Sequence, residues 1–286
     1  MARCDVCFRH CDIPEGGRGF CGARISEEGR VRPANYGRIT SLALDPIEKK
    51  PLRRFFPGSM ILSAGSWGCN LRCPFCQNHR ISWSAEAMAL RDRTEFLPPE
   101  ALVRLAEREK RRGNIGLAFT YNEPLVGWEY VRDTSALARR AGLKNVLVTN
   151  GTAEIKVLEE LLPFIDAMNI DLKGFSDRYY RDILGGSLEA VKAFISRAVG
   201  ACHVELTTLI VPGENDTEEE MLRMTEWIAS LTDREGRSAG CDVPLHVTRF
   251  FPRFRMTDRP ATNPDTVRKL AKAASRRLKY VYTGNI

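Results

Sequence analysis

The run Gly68-Cys69-Asn70-Leu71-Arg72-Cys73-Pro74-Phe75-Cys76-Gln77-Asn78 puts three thiols in one short loop, with three and then two residues between them and no fourth cysteine nearby. Three thiolates on a four-iron cube leave one iron with an open position. An open iron can bind and reduce a small molecule, whereas a fully ligated cluster mainly passes electrons. Just upstream, Met60-Ile61-Leu62-Ser63-Ala64 is a short apolar run that reads as a strand, so the thiols stand on the loop leaving its end.

Further runs of the same kind follow: Ile115-Gly116-Leu117-Ala118-Phe119, Asn145-Val146-Leu147-Val148, Ala167-Met168-Asn169-Ile170, Val204-Glu205-Leu206-Thr207-Thr208-Leu209-Ile210-Val211 and Leu245-His246-Val247-Thr248. Between them, residues 99–112, 125–141, 153–162, 188–199, 217–231 and 264–278 carry apolar side chains at helical spacing, several opening with Pro or Thr. Six strand and helix units in succession predict parallel strands joined by right-handed crossovers. The fold class is therefore α/β, a partial (β/α)6 barrel over residues 59–286. Residues 1–58, with four cysteines and little periodicity, read as a small Cys-rich N-terminal cap.

The chain has 286 residues, formal net charge +7 and nine cysteines. A basic balance can signal nucleic acid, and a non-catalytic metal protein that binds RNA is the reading from another function class. The placement of charge argues against it. Arg108-Glu109-Lys110-Arg111-Arg112, Arg139-Arg140 and Arg276-Arg277 fall at the ends of helical patterns, where cations complement the helix dipole. No stretch approaches the roughly 20 apolar residues a bilayer needs, and the start lacks the apolar core of a signal peptide; a cytoplasmic protein with no membrane partner is expected. An odd number of cysteines in tight clusters then points to metal rather than disulfides. Cys202 and Cys241 read as free thiols.

The polar motifs stand just after candidate strands: the cysteine loop after the first, Thr120-Tyr121-Asn122-Glu123-Pro124 after the second, Thr149-Asn150-Gly151 after the third, Asp171-Leu172-Lys173-Gly174 after the fourth. In a parallel barrel all such positions open on one face, where active sites are built. Motifs spread over a hundred residues thus converge on one pocket.

The cysteine loop, with Phe75 before its last thiol, closely resembles the cluster motif of the radical S-adenosylmethionine (SAM) superfamily. A zinc site with His79 as fourth ligand, or an electron-transfer cluster completed by a distant thiol, are the competing readings of these thiols. The resemblance implies a 4Fe-4S cluster on Cys69, Cys73 and Cys76 whose open iron chelates the amino and carboxylate groups of SAM. It implies reductive cleavage to methionine and a 5'-deoxyadenosyl radical that abstracts hydrogen from a substrate, and a flavodoxin- or ferredoxin-like electron donor.

The same resemblance suggests who holds SAM. Phe75 would lie against the adenine, and Asn78 matches a polar residue just past the cluster loop. Glu123 sits where the family commonly has a Gly-Gly-Glu segment that bonds the methionine ammonium, a charge-assisted contact; Tyr121 and Asn122 replace the two glycines. Thr149-Asn150-Gly151 and Asn169-Ile170-Asp171-Leu172-Lys173 resemble strand ends of glycyl-radical-enzyme activating proteins such as pyruvate formate-lyase activating enzyme. Carried over, Asp171 and Thr149 become candidates for a monovalent cation site and Lys173 a partner of the methionine carboxylate. Val148 stands where those relatives place another acidic cation ligand. His246 matches a histidine that contacts SAM; a satisfied core histidine is the alternative.

Cys4, Cys7, Cys11 and Cys21, with two, three and nine residues between them, can close a tetrahedral zinc site, with a second cluster as the alternative. With Tyr280-Val281-Tyr282-Thr283-Gly284-Asn285, these segments make the whole chain look like the radical enzyme of the AmmeMemoRadiSam group. Relatives of that group often continue with more cysteines, whereas this sequence ends at Ile286. As an activating enzyme the protein would act on a glycine of a partner protein in trans; as a small-molecule enzyme it would need a closed pocket.

Overall fold

The apolar runs and amphipathic stretches assemble into one eight-stranded sheet with helices on its outer face. The computed structural model describes residues 1–91 and 93–286. The strands are β1 (Ser41–Pro46), β2 (Met60–Gly65), β3 (Asn114–Phe119), β4 (Lys144–Thr149), β5 (Ala167–Asp171), β6 (His203–Ile210), β7 (Leu245–Arg249) and β8 (Val281–Gly284), each paired with its sequence neighbour. β2 through β8 run parallel; β1 pairs antiparallel with β2. No pairing joins β1 to β8, so the described barrel stays open. The sheet thus has the six expected parallel strands plus one at each edge. β1 lies inside residues 1–58, so the chain enters the sheet before the cysteine-rich segment was expected to end.

The connections include α1 (Pro99–Arg108), α2 (Trp128–Arg140), α3 (Ile155–Leu161), α4 (Leu188–Ala198), α5 (Glu218–Ala229) and α6 (Pro264–Ala274). Their starts are encoded locally. Thr217 accepts from the Glu220 amide, Ser187 from that of Ala190 and Asn263 from that of Asp265, each satisfying an amide the first turn leaves unpaired. α1 buries Leu102, Val103 and Ala106 on one face, and such stripes join Leu117, Leu147, Ile170 and Leu206 in the main apolar cluster. Among the described residues no helix is long and apolar enough to cross a membrane.

A second, smaller cluster joins Ile61, Ala118, Val146 and Ala167 to Ile47, Leu52 and Phe55 of the β1–β2 connection. Because β1 descends beside β2 from Ser41↔Gly65 to Pro46↔Met60, this connection lies at the N-terminal end of the parallel strands. It closes that end as a plug. Arg54 of the plug packs over the Tyr280 ring, 3.6 Å from its centroid, just before β8, so the plug also bridges toward the last strand.

β3 and β4 approach closely at Gly116↔Lys144, where any Cβ would collide with the Lys144 carbonyl. Gly116→Ala is expected to cost about 2 kcal/mol, the usual penalty for forced overpacking, read as a lower denaturant midpoint with an unchanged slope.

Candidate active site

One cavity of about 580 Å³ opens among the C-terminal strand ends and is lined by Cys69, Cys73 and Cys76 together with Phe75, Asn78, Tyr121, Asn122, Glu123, Thr149, Asn150, Asp171, Lys173 and His246. The three cluster thiols and every residue that sequence reading assigned to SAM therefore border a single space. His79 is absent from this lining: its ring stacks on Phe254 at 4.1 Å and its Nδ1 lies 3.0 Å from the Cys76 carbonyl.

The cluster loop is held from two sides. Asn122 donates to the Trp67 and Gly68 carbonyls at 3.2 and 3.1 Å and accepts from the Ser66 amide at 3.0 Å. Asn150 donates to Asn70 at 2.9 Å and approaches Cys69 Sγ at 3.8 Å, and Asn70 donates to Thr152 at 2.8 Å. Two asparagines from the β3 and β4 ends thus splint the loop. Tyr121, at positive φ, borders the cavity and turns its hydroxyl to donate to Asp45 at 2.6 Å. Asp45 also pairs with the buried Lys50 at 2.8 Å; these bonds hold its carboxyl well below the usual range despite burial.

Glu123 is buried and accepts from Thr149 Oγ1 at 2.7 Å, the Asn150 amide at 2.7 Å and the Leu125 amide at 3.0 Å. Burial pushes its pKa up to about 7 against those three donors. A carboxylate has about four lone-pair sites, so one remains for a ligand. Glu123 locks the β3 and β4 ends together as well as facing the cavity.

Lys173 and Asp171 form a 2.8 Å ion pair at the β5 end. Burial opposes the lysine's charge, but Asp171 and Cys73 outweigh it and hold its pKa well above the ordinary value. Burial drives Cys73 up to about 11 and Cys69 well above its usual value, with Lys173 pulling Cys73 back down. Three thiols on one cavity wall, with the Arg72 and Lys173 cations close enough to feel them, form a donor set suited to an anionic iron–sulfur cluster. Val148 lines the cavity near Asp171, so the position of a second acidic cation ligand is apolar here.

Phe75 is buried and meets Phe250 edge-on at 6.1 Å while lining the cavity. Asn78 precedes the short helix His79–Ser82 without a capping bond from its side chain. His246 is 5 % exposed, and its Nε2 lies 2.6 Å from Glu205. This histidine is thus satisfied in the core while its ring lines the cavity.

Sequence reading missed Glu205. Its carboxylate bonds His246 and His203 Nε2 at 2.6 and 2.9 Å and accepts the Arg53 and Arg54 amides at 3.0 and 2.7 Å. Burial works against its charge, yet these four donors hold its pKa down at about 2. The alternation His203, Glu205, Thr207 along β6 was the available signal, because a strand's alternate residues share a face.

The N-terminal segment is stitched to the cluster loop. The Cys69 amide donates to the Cys21 carbonyl at 3.3 Å, and Arg9 donates to the Asn70 carbonyl at 2.8 Å. Arg9 and Arg72 flank the Phe20 ring, 3.5 and 3.9 Å from its centroid. Cys4, Cys7, Cys11 and Cys21 surround a separate small cavity that Asn70 also lines. Among the described residues, no three His, Cys, Asp or Glu side chains are gathered at single-ion distance.

Comparison with known proteins agrees with this geometry. Residues 66–225 match the model of the Radical SAM superfamily. The chain is 40% identical over 288 residues to an uncharacterized protein of Methanocaldococcus jannaschii, covering 99% of this chain and 81% of that one. It is 26% identical over 174 residues to pyruvate formate-lyase 1-activating enzyme of Escherichia coli, covering 59% and 68%. In fold it resembles Streptococcus suis SuiB bound to S-adenosylmethionine, with TM-score 0.58 and 12% identity over 78% of this chain and 51% of that one. The family brings with it a 4Fe-4S cluster and SAM. With its three cluster thiols on the loop that opens the matched segment, this chain belongs to the radical SAM superfamily of enzymes.

Proposed function

We propose that this protein is the radical enzyme of an AmmeMemoRadiSam-type system, taking a hydrogen atom from its substrate, with the cysteine-rich part of residues 1–58 as a cap on the 59–286 domain, whose sheet β1 joins. The observation that carries the reading is the single cavity shared by Cys69, Cys73, Cys76, Glu123, Asp171 and Lys173. The cluster, when bound with SAM, supplies the electron that releases methionine and a 5'-deoxyadenosyl radical. The chain's own residues bind and orient. Cys69, Cys73 and Cys76 hold the iron, and Glu123 keeps one lone-pair direction for the methionine ammonium. Lys173 offers its charge to the carboxylate. Because Lys173 is already ion-paired to Asp171, it supplies in place the positive charge that a monovalent cation on Asp171 and Thr149 would bring. Phe75 and Asn78 take the adenine side, with His246 opposite.

The electron donor is a flavodoxin- or ferredoxin-like protein. The spacing of Cys4, Cys7, Cys11 and Cys21 is what supports a structural zinc there, since the four thiols line one cavity without being gathered at single-ion distance; a second cluster is the competitor, and metal analysis of the purified protein separates them. Anaerobic reconstitution with iron and sulfide, then dithionite and SAM, tests the main reading. Formation of 5'-deoxyadenosine and methionine is expected; a fully reconstituted protein that yields neither overturns it.

A further inference from the structure

We propose that the lower part of this cavity is a subsite for a small anionic substrate, a carboxylate or phosphate ester, anchored by the Arg53 guanidinium. The inference rests on the radical reading above and names the class of molecule that the radical meets.

The cavity has two unlike halves. The thiols, Glu123, Thr149, Asp171 and Lys173 belong to the C-terminal ends of β2 to β5. Glu205 pairs in register with Asn169, two residues before the Thr207↔Asp171 pair, so it lies roughly 7 Å deeper along the strands. From the far end the plug rises to meet it. The amides of Arg53 and Arg54 both donate to Glu205, and the Pro51 carbonyl accepts from Asn169 at 2.9 Å. These bonds fix the backbone from which Arg53 reaches the cavity lining.

Two groups there lack a protein counterpart. Among the described residues no carboxylate pairs with the Arg53 guanidinium, although nearby Lys49 and Lys50 are both matched to Asp45. His246 spends Nε2 on Glu205, which leaves Nδ1 as its free polar atom in a ring nine-tenths buried and lining the cavity. Four donors offset the negative charge of Glu205. Glu48, the acid of the lower lining, turns Oε1 to the Gly58 amide at 2.7 Å.

A planar guanidinium without a partner is suited to bidentate binding of a carboxylate or phosphate. A cavity of about 580 Å³ is also of small-molecule scale. Closure of its lower end by the plug favours a compact ligand over a threaded peptide.

The test uses the reconstituted holoenzyme with inorganic pyrophosphate and citrate as probes in isothermal titration, beside an oligoglutamate peptide. At least one small anion is expected to bind, with Arg53→Gln raising its Kd more than about tenfold and Arg53→Lys restoring part of the loss. Arg268→Gln, on the exposed face of α6, is expected to leave binding unchanged. The stronger of the two small anions identifies the headgroup. No small-anion binding, equal binding by Arg53→Gln, an equal loss in Arg268→Gln, or binding of the peptide alone overturns the proposal. Titration is read without SAM turnover, so a failure here is distinct from failure to form 5'-deoxyadenosine.

Discussion

Cys73→Ala is expected to lower 5'-deoxyadenosine formation to that of the cluster-free protein, together with loss of the visible iron–sulfide absorbance. Cys73 is the middle thiol of the loop and lines the cavity with Cys69 and Cys76. Two thiolates cannot hold a four-iron cube in place, and no other cysteine joins that lining. The fold itself should tolerate the change. The lost sulfur is comparable to a methylene group, worth about 1 kcal/mol in the core, so circular dichroism and gel filtration of the apoprotein should match wild type. Activity retained at one tenth of wild type or more would show that the three-thiol assignment is wrong.

Glu205→Gln is expected to lower the unfolding free energy by about 3–5 kcal/mol, the usual cost of breaking a buried charge network from one side. All four groups facing Glu205 are N–H donors, and a carboxylate accepts them all. A glutamine amide turns its own NH2 toward two of them and leaves those buried donors unpaired. The pH dependence carries a second signature. Glu205 titrates at about 2 instead of 4.5, so its stabilisation is complete above the unfolded value of about 4.5 and is lost as pH falls toward 2. That shift is worth about 3 kcal/mol. Denaturant midpoints between pH 5 and pH 2 should therefore fall less steeply in Glu205→Gln than in wild type. Parallel curves would refute the assignment.

These two residues mark where the sequence was legible and where it was not. The cysteine loop and the motifs at the ends of β3, β4 and β5 could be read because each is a short-range signal. Spacing and strand-end position both survive in one dimension. Glu205 looked like an ordinary polar residue in the apolar run of β6, since only the barrel's curvature decides which face turns inward. β1 was missed because Ser41-Leu42-Ala43-Leu44-Asp45-Pro46 is short and ends in proline, and its pairing with β2 crosses an aperiodic connection. The plug was invisible for the same reason: Ile47, Leu52 and Phe55 follow neither helical nor strand spacing, and only the space inside the strands brings them together. His246 shows the converse, as a histidine partnered in the core also lines the cavity.

The bond between the Cys69 amide and the Cys21 carbonyl bears on how the enzyme matures. Cys21 is synthesised 48 residues ahead of Cys69, so the amino-terminal segment can fold while the three-cysteine loop is still being made. The loop then closes against a template already in place. Iron loading in the cell should accordingly respond to damage in the first two dozen residues, even though none of them touches the reacting atoms.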